Sequence, residues 1–308
     1  MAPDERIVAV AGGSGFIGRA IVRRLARIPT LTVRLLTRNP EAARRRIETV
    51  DRVEFIAADV TDPATLRTAL AGANAVVNAV QFDGYPVENP QRGLTFERID
   101  YGGTVAMLAA GKTSSIARFI YISGAAADER SPLPGFSAKG RAERAIRESG
   151  VAYTIFRPSL VYGAEDRVVN MLAGALRFLP LMPVPGTGRQ MLQPVWVDDL
   201  AACVALAIGG RGRDATFDVG GAEAMTFDDL VRLLMEITKR RRPIVHIPEP
   251  MLRLAGRVAE MIPGALFSRD AAGFLTADNV CDIGPLVAEF GIAPVPARAG
   301  LAYLARKG

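Results

Sequence analysis

The stretch Gly12-Gly13-Ser14-Gly15-Phe16-Ile17-Gly18 places glycine at positions 12, 15 and 18. It follows the short apolar run Ile7–Ala11 and precedes Ile17, Ile21, Val22 and Leu25 at helical spacing. That order suits a pyrophosphate. The first glycine permits a tight turn, the next lets backbone approach the phosphates, and the last lets helix pack on strand. Free N–H groups and the helix dipole then favour the anion. An isolated glycine string also occurs in ordinary turns, so the strand–loop–helix context carries the reading. A second run, Leu35-Leu36-Thr37-Arg38-Asn39, has no acid until Glu41. An acid there would bond the adenosine ribose, whereas an arginine accommodates a 2′-phosphate, so Arg38 favours NADP(H) over NAD(H). Asp59, after the third expected strand, either faces the adenine amino group or caps its own loop.

These residues need a framework. Strands are expected at Ile7–Ala11, Thr32–Thr37, Val53–Ala57, Ala75–Ala79, Arg118–Ser123 and Tyr153–Arg157. Helices are expected from Ile17, over Pro40–Thr49, Ala64–Leu70 and Tyr101–Ala110, and over Ser137–Ser149 with Gly150 as the stop. Alternating strands and helices imply βαβ units with right-handed crossovers, hence an α/β fold with a doubly wound, mostly parallel Rossmann sheet. After Arg157, Pro180, Pro183, Pro185 and Gly186 interrupt the pattern. The expectation is a nucleotide-binding domain over 1–160, its sheet completed by later segments, and a small mixed lobe over 161–308. Within that lobe, Val195–Ile208 carries two aspartates and an apolar helix, and Thr226 with Asp229 forms a capping box.

Several motifs run in one order along the first 220 or so residues: Gly12–Gly18, Asp59-Val60, Asn78-Ala79-Val80, Tyr101-Gly102-Gly103-Thr104, Tyr121-Ile122-Ser123-Gly124, Arg157-Pro158-Ser159 and Val197-Asp198-Asp199. In this series the chain resembles the extended and atypical branch of the short-chain dehydrogenase/reductases. It is most similar there to the group containing the nucleotide-binding accessory subunit of respiratory complex I, whose tail is similar to Thr276-Ala277-Asp278-Asn279-Val280. The resemblance implies cofactor contacts from Gly12, Ser14, Gly15, Phe16, Ile17, Gly18, Arg38, Asp59, Val60, Ala79, Val80, Lys139 and Pro158. It also implies a dinucleotide ligand, a small-molecule acceptor, and a respiratory-chain or membrane-surface partner.

In the wider superfamily a Tyr-x-x-x-Lys pair carries proton transfer, and a serine orients the substrate carbonyl. Here the segment reads Pro134-Gly135-Phe136-Ser137-Ala138-Lys139. By resemblance Lys139 takes the lysine position and Ser123 the serine position, but the tyrosine position is Gly135. Neither glycine nor the neighbouring Phe136 has a proton to give. The resemblance therefore implies a protein that holds its nucleotide structurally or as a sensor. The alternative is an NADPH-dependent reductase of a quinone or enone, with Lys139 or water as proton donor. Lys139 would serve as the acid if burial lowered its pKa; its bland role is a surface lysine paired with Glu143. Sugar-nucleotide epimerases and dehydratases of the superfamily depend on the missing tyrosine. Tyr121 and Tyr153 fall within strands as packing residues, and Tyr162 lies near the expected cleft without a paired lysine.

Composition narrows the field further. One histidine, His246, and two cysteines, Cys203 and Cys281, among 308 residues cannot form a Cys₄, Cys₂His₂ or His₃ zinc site, and no metal is expected. His246 is expected to be packed or at the surface, and Cys203 to be a buried apolar residue. Of 38 basic residues only four are lysines, Lys112, Lys139, Lys239 and Lys307, so Lys139 stands out in its motif. The net charge of +6 suggests an anionic partner. The run Lys239-Arg240-Arg241-Arg242 lacks interleaved aromatics, against single-strand binding, and no nucleic-acid partner is expected. It serves as a solvated helix end or a lipid patch. Pro250–Phe267 has amphipathic spacing that suits lobe packing, a membrane or a partner. The longest apolar stretch, Leu200–Ile208, is too short to span a bilayer, and the N-terminus lacks a signal-peptide pattern. The expected location is cytoplasmic, with peripheral membrane contact.

Overall fold

A computed structural model describes residues 6–47, 51–259 and 278–307. Seven parallel strands form the central sheet: β1 (Arg6–Ala11), β2 (Leu31–Thr37), β3 (Val53–Ala57), β4 (Ala75–Asn78), β5 (Arg118–Ile122), β6 (Tyr153–Pro158) and, after several lobe strands, Ala215–Val219. Their spatial order is Ala215–Val219, β6, β5, β4, β1, β2, β3. Both faces of the sheet are covered, which explains why its strands are apolar runs and not alternating ones; β4 and β5 are buried at every position.

Helices α1 (Phe16–Leu25) and α2 (Pro40–Arg46) cover one face with the later helix Val197–Ile208. Helices α3 (Pro63–Leu70), α4 (Gly103–Thr113) and α5 (Pro134–Glu148) cover the other. The expected helix and strand positions are met within a few residues up to β6, and Gly150 ends its helix at φ +75°. Position 49 lies outside the described residues. One element departs from expectation. The segment before α4, Phe96–Gly102, winds as a π-helix, the wider turn that local spacing rules do not anticipate.

The two halves of the chain interleave. Val197–Ile208 packs beside α1, and Ala215–Val219 pairs in register with β6, Ala215 opposite Thr154 and Val219 opposite Pro158. The remainder of the second half forms the lobe around Tyr162, Met182, Leu176, Leu230 and Leu234. Tyr162 is fully buried there against Trp196, away from open solvent. The Thr226–Asp229 capping box is present, and Cys203 is buried. His246 lies at the surface, its Nε2 3.0 Å from Asp228 Oδ1. No helix among the described residues is long and apolar enough to cross a membrane. The amphipathic segment Pro250–Phe267 is described only to residue 259.

Between β1 and β4 the order of connections reverses, opening a crevice at the carboxyl ends of the strands. A Cβ on Gly18 would stand 2.1 Å from the Gly12 carbonyl oxygen, where neither backbone can yield. Gly18→Ala is expected to cost about 1–3 kcal/mol of stability by overpacking. The check is urea unfolding of variant and wild type, and equal midpoints would refute it.

Candidate functional site

At the crevice, Ala79 N–H donates to the Ala11 carbonyl at 3.0 Å and Gly15 N–H to the Gly12 carbonyl at 2.9 Å. Gly12 is left-handed, at φ +76°, and a Cβ there would meet the Ala79 carbonyl oxygen at 2.4 Å. Gly15 caps α1 with no side-chain hydrogen bond, and no acid occupies the first helical turn. The positive end of α1 therefore opens onto a glycine cradle that any side chain would fill, which fits a pyrophosphate. Phe16 packs its ring over Gly163 of the lobe, and Ser14 is half-buried.

Arg38 follows β2 at the surface, where its Nη2 is 3.2 Å from Asp83 Oδ2. Asp83 comes from the loop after β4, an acid the sequence reading did not single out. Asp59 caps its own loop, accepting hydrogen bonds at one oxygen from Thr61 N–H and Thr61 Oγ1, both at 2.8 Å. Val60 packs against Gly103 at the start of α4. Ala79 and Val80 line the Gly12 turn, and Val80 N–H is held by Asn78 Oδ1 at 3.1 Å. Pro158 accepts from Ala125 N–H at 3.1 Å.

Lys139 is not a surface residue. It is 4% exposed, and its Nζ lies 3.3 Å from Asp100 Oδ1, whose side chain is fully buried. The π-helical winding of Phe96–Gly102 sets Asp100 in this place. Thr104 Oγ1 donates to the Asp100 carbonyl at 2.5 Å and accepts from Asn78 Nδ2 at 2.9 Å, tying the turn to β4. The Lys139 ammonium also lies 5.6 Å from the centre of the Tyr121 ring. Burial pushes the Lys139 pKa down, but Asp100, Tyr85 and Glu143 together outweigh it, and the net direction is upward. The expected depression for an acid role is thus reversed. Asp100 itself is raised above the usual carboxylate range by burial, an effect tempered by Lys139. Burial likewise raises the Tyr85 phenol to about 12 against the pull of Lys139.

Glu143, the partner Lys139 would have as a plain surface lysine, is engaged elsewhere. Its buried carboxylate accepts from Ser123 Oγ at 2.6 Å, from Arg157 Nε at 2.8 Å and from Arg147 Nη2 at 2.6 Å. Ser123 therefore directs its proton to α5. Gly135 is buried in the first turn of α5, one turn before Lys139, and offers only backbone. Asp100 was the residue sequence reasoning missed. The available signal was a lone acid on an otherwise uncharged helical face with Phe96, Ile99 and Thr104. Ser159 Oγ donates to the Asn279 carbonyl at 2.6 Å, which brings the described part of the tail motif, Asp278–Val280, to the end of β6. Thr276 and Ala277 lie outside the described residues. Among the described residues, no group of three His, Cys, Asp or Glu could hold a metal ion.

The pattern of a family described as NAD(P)H-binding matches residues 12–175, more than half of the chain. The chain belongs to this NAD(P)H-binding family. Curated relatives include the mitochondrial NADH dehydrogenase (ubiquinone) 1 alpha subcomplex subunit 9 of Arabidopsis thaliana. It is 26% identical over 89% of this chain and 70% of that protein. A 4-hydroxy-2-methyl-3-oxo-4-farnesyl-3,4-dihydroquinoline-1-oxide ketoreductase of Stigmatella aurantiaca is 26% identical over 83% of this chain and 80% of its own. Among solved structures, a dTDP-glucose 4,6-dehydratase of Streptomyces venezuelae with NAD bound superposes with a TM-score of 0.76. Its identity is 20%, over 97% of this chain and 96% of that one, a likeness of fold. The family description supports a nicotinamide dinucleotide as the ligand.

Removing one partner of a buried ion pair leaves the other charge uncompensated, at a cost of about 3–5 kcal/mol. Asp100→Asn should lose that much in urea unfolding, and adding Lys139→Met should recover most of it. Additive losses would show that the pair does not couple. Because its folded pKa is raised, Lys139 contributes stability at neutral pH that disappears as pH climbs through the folded value. Wild type should therefore lose stability on the alkaline side more steeply than Lys139→Met, as followed by unfolding across that range.

Proposed function

We propose that the chain binds NADP(H) in preference to NAD(H) and holds it structurally or as a sensor, without turnover by the superfamily's tyrosine mechanism. The observation that carries this reading is Gly135, buried on α5 where the resemblance expects the tyrosine, one turn before a lysine that is still there. A carbonyl–alcohol conversion needs a proton donor beside the nicotinamide, and glycine supplies none. Lys139, kept charged by Asp100, has the character of a fixed ribose anchor. Gly12, Ser14, Gly15, Phe16, Ile17 and Gly18 would hold the pyrophosphate, with Ala79, Val80 and Pro158 walling the groove. Asp59 and Val60 would border the adenine. The bound group supplies hydride chemistry; the chain orients it and shields it from water.

Arg38 supports the NADP(H) preference, and Asp83 opposes it by occupying the same guanidinium. A charge-assisted contact to a 2′-phosphate is worth about 1.5–3 kcal/mol, so Arg38→Ala should weaken NADPH binding about tenfold or more while NADH binding changes little. Asp83→Asn should tighten NADPH binding. Fluorescence titration of both nucleotides measures the ratio, and an unchanged ratio in Arg38→Ala would remove the 2′-phosphate reading. Nucleotide released from the denatured protein, identified by chromatography, tests the cofactor itself.

The ketoreductase relative favours a second reading, an NADPH-dependent reductase of a quinone or enone. The Asp100 ion pair speaks against Lys139 as its acid and leaves water as the donor. Stoichiometric NADPH-loaded protein mixed with a quinone and enone panel should show no nicotinamide oxidation. Oxidation that survives in Lys139→Gln would install the reductase with water as donor, and oxidation lost there, with NADPH binding intact, would install Lys139. The subunit 9 relatives support a respiratory-chain partner, and their mitochondrial names weigh against the cytoplasmic location expected from the sequence.

A further inference from the structure

The lobe helix Val168–Phe178 ends in five consecutive exposed residues, Arg177-Phe178-Leu179-Pro180-Leu181. Phe178 is 85% exposed, and Leu179 and Leu181 are each 41% exposed. Their neighbours Leu176 and Met182 are fully buried, so the core is anchored on both sides of an apolar tip that it does not take in. Isolated exposed apolar residues are ordinary, but three within four positions are not.

The cation run Lys239–Arg242 lies beside this tip. Met182 N–H donates to the Pro243 carbonyl at 2.8 Å, and strand Met182–Pro185 runs parallel to Ile244–Ile247 with Met182 opposite Ile244. Arg177, Lys239 and Arg240 also line a single cavity of about 290 Å³ with Asn170 and Thr238, and no acid lines it. The acid in the preceding helical turn, Glu236, is taken by Arg298. A helix C-terminus favours one or two cations, which accounts for Lys239 but not for Arg241, Arg242 or the apolar tip.

We propose that this face docks on an anionic phospholipid bilayer. In that arrangement Phe178, Leu179 and Leu181 enter the acyl boundary while Arg177 and Lys239–Arg242 meet lipid phosphates, the cavity receiving one headgroup. Charge complementarity and the apolar tip together select this occupant. Basic clusters are drawn to anionic leaflets; Leu179 and Leu181 gain from hydrocarbon and offer no stacking face to a nucleic acid, which leaves Phe178 as a single ring where single-strand binding uses a series of them. The proposal gives a location to the membrane-side partner suggested above and stands independently of the nucleotide reading.

The test is co-sedimentation of the full chain with vesicles of phosphatidylcholine alone or mixed with phosphatidylglycerol, with NADPH titration in parallel. Binding should require phosphatidylglycerol and fall as salt is added. Phe178→Ser with Leu181→Ser, and separately Lys239→Gln with Arg240→Gln and Arg241→Gln, should each weaken it about tenfold or more and leave NADPH binding unchanged. Four outcomes would overturn the proposal. They are no binding, equal binding to neutral vesicles, charge dependence with no effect of the Phe178 and Leu181 changes, and displacement by stoichiometric single-stranded RNA. Loss of NADPH binding in wild type with vesicle binding intact would count against the nucleotide reading alone.

Discussion

The contact between the Gly12 turn and the Ala79 carbonyl is the constraint from which the rest of the molecule follows. Strands β1 and β4 lie side by side, and their chains leave in opposite directions, so the two carboxyl ends meet at one point. Backbone must touch backbone there, and only glycine allows it. The same contact aims the start of α1 into the crevice and leaves its N–H groups open. Sheet order, helix placement and anion affinity are one arrangement seen from three sides.

At the opposite end of the groove, charge takes over from sterics. Two buried networks flank α5: Lys139 with Asp100 below Tyr121, and Glu143 with Ser123, Arg147 and Arg157. Each pairs charges that burial would otherwise make expensive, the second with hydrogen bonds to every partner and the first by proximity alone. Together they tie α5 to β5 and β6, so Lys139 is held by charge one turn after Gly135.

The Rossmann half was legible because its signals are local. Apolar runs, helical spacing and glycine punctuation each report on a few neighbouring residues, and they agreed. Gly12, Gly15 and Gly18 were found for the same reason. Pairings between distant positions were not legible. Asp100 meets Lys139 across 39 residues through a π-helical turn, and Asp83 meets Arg38 across a loop that obeys no spacing rule. Glu143 shows the limit most plainly. Helical geometry allowed it to pair with Lys139 four residues earlier, yet tertiary packing gave it to Ser123 and two arginines. The burial of Tyr162 was likewise not legible, because nothing local reveals that Trp196 packs against it.

The seventh strand has a bearing on how the protein is made. Ala215–Val219 covers the edge of β6, and Val197–Ile208 covers α1, yet both are synthesised long after the nucleotide loop. A nascent chain that has emerged only to β6 exposes an unpaired edge and an uncovered apolar helix. The sheet cannot close until about 220 residues have left the ribosome. Any chaperone that attends its birth will therefore meet the Rossmann half unfinished.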